Sequence, residues 1–227
     1  MKFKAIAKAS LALGMLATGV ITSNVQSVQA KAEVKQQSEA DLKLYYSGPS
    51  FEYKKVTGYG FVEGKDRFID FIYNGQYNKI SLVGSDKDKY NEEVNPDIDV
   101  FVVREGNGRQ ADNHSIGGVT KSNKTPGFVS APLLNVTKEN GEDAFVKGYP
   151  YDIKKEEISL KELDFKLRKH LIEKYGLYKT KSKDGKIKIN LKDGSFYNLD
   201  LRSKLKFKHM GEVIDSKQIK DIEVNLK

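Results

Sequence analysis

Cysteine is absent from this chain of 227 residues. That excludes a disulfide framework, a thiol nucleophile and thiolate metal sites, so the folded form must rest on packing and hydrogen bonding alone. Histidine is scarce: His114, His170 and His209 lie far apart and make neither an H-x-x-x-H nor an H-E-x-x-H spacing, so no metal site is predicted. No G-x-S-x-G elbow occurs. Gly117-Gly118 is not followed by a helix with a lysine, as a phosphate loop requires, and is read as a pair that lets strands approach closely or forms a bulge. The stretch Asp86-Lys87-Asp88-Lys89-Tyr90-Asn91-Glu92-Glu93 fails as a calcium loop. Counted from Asp86, its sixth position is Asn91 and not glycine, and its twelfth is Asp97 and not glutamate. These gaps leave no catalytic constellation and no cofactor site, and they favour a binding protein over an enzyme.

No block of five or six like charges is present either, although basic residues outnumber acidic ones by 39 to 31 for a net charge of +8. Some attraction to acidic proteins, glycans or anionic membrane follows. Nucleic-acid binding does not, since no recognised motif or aromatic RNA-binding signature accompanies the charge. The first thirty residues read as an export signal: Lys2, Lys4 and Lys8, then an uncharged, mostly apolar run from Ala9 to Ile21, then Val28-Gln29-Ala30 before a cleavage point. The apolar run is shorter than the ~20 residues of a membrane span, and nothing later replaces it. A secreted, extracellular protein starting at Lys31 is expected. Removing the three signal lysines from +8 leaves +5, and 197 residues remain for one large or two small domains.

Within those residues, Glu39 to Tyr46 is expected to form a short helix with Leu42, Tyr45 and Tyr46 facing inward. Five short strands follow, at 51–53, 68–73, 79–83, 98–104 and 116–120, punctuated by glycine and Asn-Gly or Asn-Pro pairs. Such a run suggests a small closed barrel of the OB type. Lys121 to Gly127 opens the connection to a second half, dividing the chain into residues 31–126 and 127–227. Phe128 to Val136 reads as a strand and Thr137 to Asp143 as a charged loop. Beyond residue 185, Ile187, Ile189 and Leu191 alternate, Asp193-Gly194 signals a tight turn, and Tyr197, Leu199 and Leu201 alternate on the return. Leu205 and Phe207 continue the alternation briefly, and Ile222, Val224 and Leu226 close the chain as a last strand.

Between these strands lies one long amphipathic helix. Ser159 and Glu162 have capping-box spacing, Leu160, Leu163, Leu167 and Leu171 share one face, and Gly176 supplies a left-handed stop. Its i,i+4 pairs, Glu162–Lys166, Asp164–Arg168 and Lys169–Glu173, are expected on a solvated side. The leucine face should pack on Ile187, Ile189, Tyr197, Leu199, Ile222 and Val224. The fold class is therefore α+β, mainly β.

The helix also carries a longer pattern: Lys155, Ile158, Leu163-Asp164, Arg168, Leu171 and Leu177-Tyr178 at fixed intervals. It resembles the signature of staphylococcal and streptococcal superantigen toxins. With Asp99-Val100-Phe101-Val102-Val103 and Gly117-Gly118-Val119-Thr120, the chain is most similar to the superantigen-like exotoxin branch. The resemblance covers essentially the whole mature chain and implies an N-terminal OB-fold barrel followed by a C-terminal β-grasp domain. It also implies immune evasion by binding host plasma or immune components rather than by catalysis. Members of the branch bind immunoglobulin Fc regions, complement, clotting proteins, receptors or sialylated glycans. Glycan-binding members place a threonine and an arginine where this chain has Asn198 and His209, beside Asp200. Histidine lacks arginine's permanent charge and fork of donors, so sialylated glycans are disfavoured and become the alternative. Retained T-cell superantigenicity ranks below both, because the resemblance is to the superantigen-like branch. The expectation is therefore a protein surface on the barrel, around Tyr77, Asn78, Leu82, Asp86, Lys87, Lys89 and Tyr90, with Tyr77, Leu82 and Tyr90 as apolar anchors. The nearest resemblance, to an immunoglobulin-binding member, makes IgG Fc the first partner, with complement or coagulation factors next.

Overall fold

The computed structural model describes residues 37–105, 112–125, 127, 129–140, 143–179 and 185–227; the predicted export signal lies outside them. The described chain begins with helix α1, Glu39–Ser47, where the Ser38 hydroxyl accepts from the Asp41 amide and the Asp41 carboxylate accepts from Ser38, a complete capping box. Leu42 and Tyr46 are buried and Tyr45 partly so. Strands β1 (Ser50–Glu63), β2 (Asp66–Tyr73) and β3 (Gln76–Leu82) then form an antiparallel meander. A single helical turn, α2 (Asp86–Lys89), leads to β4 (Val94–Val103), β5 (Asn113–Ile116) and β6 (Val119–Lys121). The strand order is β5-β3-β2-β1-β4-β6. The Glu105 amide donates to the His114 carbonyl, which returns β5 to the end of β4 and curls the sheet into a barrel. Ile69, Phe71, Ile80, Leu82, Tyr90, Ile98, Val100 and Val102 fill it.

β1 is far longer than the three residues read from the sequence, because a register irregularity between Tyr53 and Gly58 hides its alternation. Lys55 takes a positive φ of 50° there, and Tyr53 and Val56, three apart, both turn inward. The expected strand 116–120 is likewise split in two. Gly117 (φ 56°) and Gly118 (φ 84°) separate β5 from β6. A Cβ on Gly117 would lie 2.3 Å from the Met210 carbonyl oxygen, and one on Gly118 2.4 Å from that of Phe101, so no other residue fits this close approach.

The second half is a five-stranded sheet of order β11-β10-β13-β7-β8. Its strands are β7 (Leu133–Asn140), β8 (Asp143–Pro150), β10 (Gly185–Leu191), β11 (Phe196–Asp200) and β13 (Ile219–Leu226), while β9 (Glu157–Ser159) and β12 (Val213–Asp215) form a separate ladder. The last strand lies in the middle, parallel to β7 and antiparallel to β10. Thr137 to Asp143 is not the expected charged loop: β7 continues through it and returns as β8 in an eight-pair ladder. β8 is an edge strand whose polar and apolar residues both meet solvent, which is why no clean alternation marked it. The alternation at Leu205 and Phe207 leads into a 3₁₀ turn, Phe207–His209, and not a strand.

Helix α3 (Leu160–Tyr175) lies against this sheet, capped by Ser159 and ended by Gly176 at φ 70°. Only half of the expected capping box forms. The Ser159 hydroxyl accepts from the Glu162 amide, but the Glu162 carboxylate is taken by Lys155 and Lys166, each at 2.7 Å. The leucine face packs as read, on Ile187, Ile189, Leu199, Ile222 and Val224, with Tyr197 partly buried. The expectation of a solvated opposite side fails: Lys161, Glu162, Asp164 and Arg168 are all buried. Arg168 donates through Nε to Asp164 (2.7 Å), through Nη1 to the Tyr178 hydroxyl (2.8 Å) and the Ser203 carbonyl (2.9 Å), and through Nη2 to the Asp200 carbonyl (3.1 Å). Tyr46 of α1 closes the group, donating to Asp164 at 2.7 Å. Asp164 and Arg168 of the long signature thus form the polar hub that binds α1, α3 and the 200–205 loop together, while Lys155 is held by Glu162. They are spent on the fold, with their donors and acceptors satisfied internally.

Candidate functional site

Strand alternation decides which barrel residues a partner can reach. Leu82 and Tyr90, expected as anchors, are 2% and 4% exposed and belong to the barrel core. Asn78 is also buried, accepting from the Asn113 amide at 2.8 Å. Asp86 is buried with neither carboxylate oxygen hydrogen-bonded among the described residues, and burial pushes its pKa up to about 8 against the opposing pull of Lys89 and Lys161. Of the seven expected residues, Tyr77, Lys87 and Lys89 remain at the surface. Lys87 lies 3.7 Å from Asp66, and Lys89 reaches across to Glu157 at 2.6 Å. The Tyr77 hydroxyl donates to Asp70 at 3.0 Å; burial first, then that hydrogen bond, raises its pKa to about 12 and keeps it neutral. The structure does not bring the seven together as one patch.

It assembles a different one from the neighbouring parity. The register pairs Val94 with Tyr59 and Tyr59 with Asp70, then Asp70 with Lys79; a second row pairs Phe61 with Phe68, and a third Ile72 with Tyr77. All point out of the barrel, since Ile69, Phe71 and Ile80 between them point in. Ile72 is 72% exposed, Tyr59 54% and Val94 48%. Phe61 and Phe68 stack with centroids 5.3 Å apart, and the Lys79 ammonium lies 4.2 Å from the Phe68 centroid while pairing with Glu63 at 2.9 Å. A shallow cleft of about 170 Å³ borders this face, lined by Phe61, Phe68, Arg67 and Asn91 among others. The result is a face of exposed aromatic and aliphatic groups crossed by the Asp70–Lys79 pair, a mixture found at protein-docking surfaces. Tyr59, Ile72 and Val94 escaped the sequence reading. Extending β1 to Glu63 would have found Tyr59 and Phe61 on one face opposite Gly58 and Gly60.

The C-terminal hairpin is arranged differently. Asn198 and Asp200 sit on the exposed face of β11, opposite Lys188 and Lys186 of β10. Asp200 is held below its usual range chiefly by hydrogen bonds from Arg202, whose Nη2 lies 2.9 Å away. His209 follows in the 3₁₀ turn with its Nδ1 2.5 Å from Glu212. Arg202 and His209, the cationic groups beside this strand end that could meet an acidic sugar, are each already held by a carboxylate. Among the described residues, no three histidine, aspartate or glutamate side chains converge as metal ligands would.

Comparison with known proteins covers both halves. A family model for the staphylococcal superantigen-like OB-fold domain matches residues 40–123, and one for the staphylococcal/streptococcal toxin β-grasp domain matches residues 132–226. Staphylococcal superantigen-like 10 of Staphylococcus aureus strain Newman is 58% identical over 230 residues, and superantigen-like 1 of the same strain 53% over 229, each alignment covering 100% of both chains. Among solved structures, that of superantigen-like protein 5 complexed with sialyl Lewis X matches with a TM-score of 0.80 at 39% identity, covering 84% of this chain and 100% of that one. The crystal structure of superantigen-like protein 10 matches with a TM-score of 0.77 at 59% identity, covering 84% and 98%.

Proposed function

This chain belongs to the staphylococcal superantigen-like toxins, and on that premise we propose a secreted immune-evasion protein that binds host plasma or immune proteins without catalysis. The outer barrel face carries the reading: Tyr59, Val94, Ile72 and Tyr77 extend along the strands from the stacked Phe61–Phe68 pair, with Lys79 among them paired to Glu63. Aromatic and aliphatic groups so displayed supply the central contacts of a protein interface, while paired charges supply its orientation. IgG Fc is the first partner, supported by the whole-chain resemblance to an immunoglobulin-binding member, and complement or coagulation factors follow. The test is capture from human plasma by mature protein and by an Ile72→Ser/Tyr59→Ser variant. Retention of IgG by the parent and its loss from the variant is expected. Equal retention by both would remove the barrel face from the reading, and capture of a different plasma protein would remove IgG.

The relative solved with sialyl Lewis X favours a second reading, a sialylated glycan on the C-terminal hairpin. Asn198 and His209 oppose it, the latter engaged by Glu212. Sialidase treatment of the plasma separates the two: protein-surface binding survives it and glycan binding does not.

A further inference from the structure

Strand β8 is the outermost strand of the second sheet, bonded on one side to β7 and open on the other, so half of its peptide groups face away from the sheet. Phe145, Lys147 and Tyr149 alternate along one face of it, and Phe145 is 54% exposed. The end of α3 continues that surface. Tyr149 Oη lies 2.5 Å from His170 Nε2, the Tyr175 hydroxyl donates to the Tyr149 hydroxyl at 3.4 Å, and the His170 ring stands 5.8 and 6.2 Å from the two tyrosine rings. Lys138 of β7 is anchored beside them, donating to the Tyr175 carbonyl at 3.2 Å. Positive charge dominates: Lys138, Lys147, Lys169 and Lys174 outnumber Asp143, on the same parity of β8, and Glu173.

We propose that this edge is a binding site for a sulfated polysaccharide, separate from the barrel face. Sugar rings stack on Phe145 and Tyr149, and sulfate groups are met by Lys147, Lys174 and the outward amides of β8. The strand is about 26 Å long at ~3.3 Å per residue, a straight track for an extended chain. Lysine ammoniums act as point charges toward sulfate, and the Tyr149–His170–Tyr175 group offers both donors and acceptors to sugar hydroxyls. A bilayer fits less well: Phe145 and Val146 are both exposed but, as neighbours on a strand, point to opposite faces and cannot enter one membrane surface together.

The test uses mature protein starting at Lys31 with heparin, chemically desulfated heparin and phosphatidylserine vesicles as probes. Binding to heparin and not to its desulfated form is expected. Lys147→Glu/Lys174→Glu should weaken heparin affinity at least tenfold and lower the salt needed for elution, at an unchanged melting temperature because both side chains are exposed. Phe145→Ser should weaken it several-fold, and Ile72→Ser on the barrel should leave it alone. The proposal is overturned if the double variant binds heparin as the parent does, if desulfated heparin binds equally, or if only vesicles capture the protein.

Discussion

Arg168 shows how far one residue's environment can depart from its local sequence. The Asp164–Arg168 spacing is legible as an i,i+4 pair, but its burial is imposed by Tyr46, more than a hundred residues upstream, and by the carbonyls of Asp200 and Ser203 downstream. No local pattern carries that information. Arg168→Ala leaves Asp164 buried without its counter-charge and should cost about 3–5 kcal/mol, read as a shift in denaturant midpoint. A loss under about 1 kcal/mol would mean the hub is dispensable. Asp86 makes a pH-dependent counterpart. Its carboxyl is held protonated up to about pH 8 in the fold, whereas an unfolded chain releases that proton near pH ~4. Its raised pKa therefore contributes stability that is full below the unfolded value and is lost as pH rises through the folded one, at up to about 1.4 kcal/mol per pH unit between. Asp86→Asn should flatten that decline and melt higher than the parent at pH 8. Lys161, lowered to about 8 by burial, adds stability in the opposite sense only above that pH, and His170, also lowered by burial, contributes equally to parent and variant, so the difference between their melting curves from pH 5 to 8 reports Asp86. Parallel curves for parent and variant would refute the assignment.

At the scale of elements, legibility followed periodicity. Helix α3 and the β10–β11 hairpin were readable to within a residue or two because their apolar positions repeat without interruption. β1 was not, because its irregularity near Lys55 changes which parity faces inward, which hid Tyr59 and Phe61 from view. Leu82 lies two residues beyond Ile80 on the inner parity of β3, so the strand that was read correctly also showed that Leu82 is core. The barrel face built from β1 and β2 makes its own forecast. Tyr59→Ser and Ile72→Ser leave the barrel core intact and should each cost no more than about 1 kcal/mol while abolishing partner capture. Paired melting and plasma pull-down measurements check both halves of that statement, and a variant that loses stability and capture together would point to a structural role.

At the scale of the molecule, two recognisable folds share one interior. Val83, Phe101, Val103 and Ile116 of the barrel belong to the same apolar cluster as the face of α3, and α1 bonds both sides, Tyr45 to Glu105 and Tyr46 to Asp164. The barrel was legible from its strand spacing and the β-grasp half from the resemblance its helix carries, whereas the joint between them was not, since it is made of residues that look like ordinary barrel or helix positions. A shared core predicts joint unfolding: calorimetry of the mature protein should show one transition, and two resolved peaks would contradict it. The position of β13 reaches further. The strand at the centre of the second sheet follows all four of its sheet mates in the chain, and α1, which precedes the barrel, bonds to a partner more than a hundred residues later. Contacts between distant segments slow folding, because loops must close before any reward is returned. A sheet whose central strand follows its neighbours in sequence cannot complete itself from local pairings, so its assembly is governed by the search of β13 for the gap between β7 and β10.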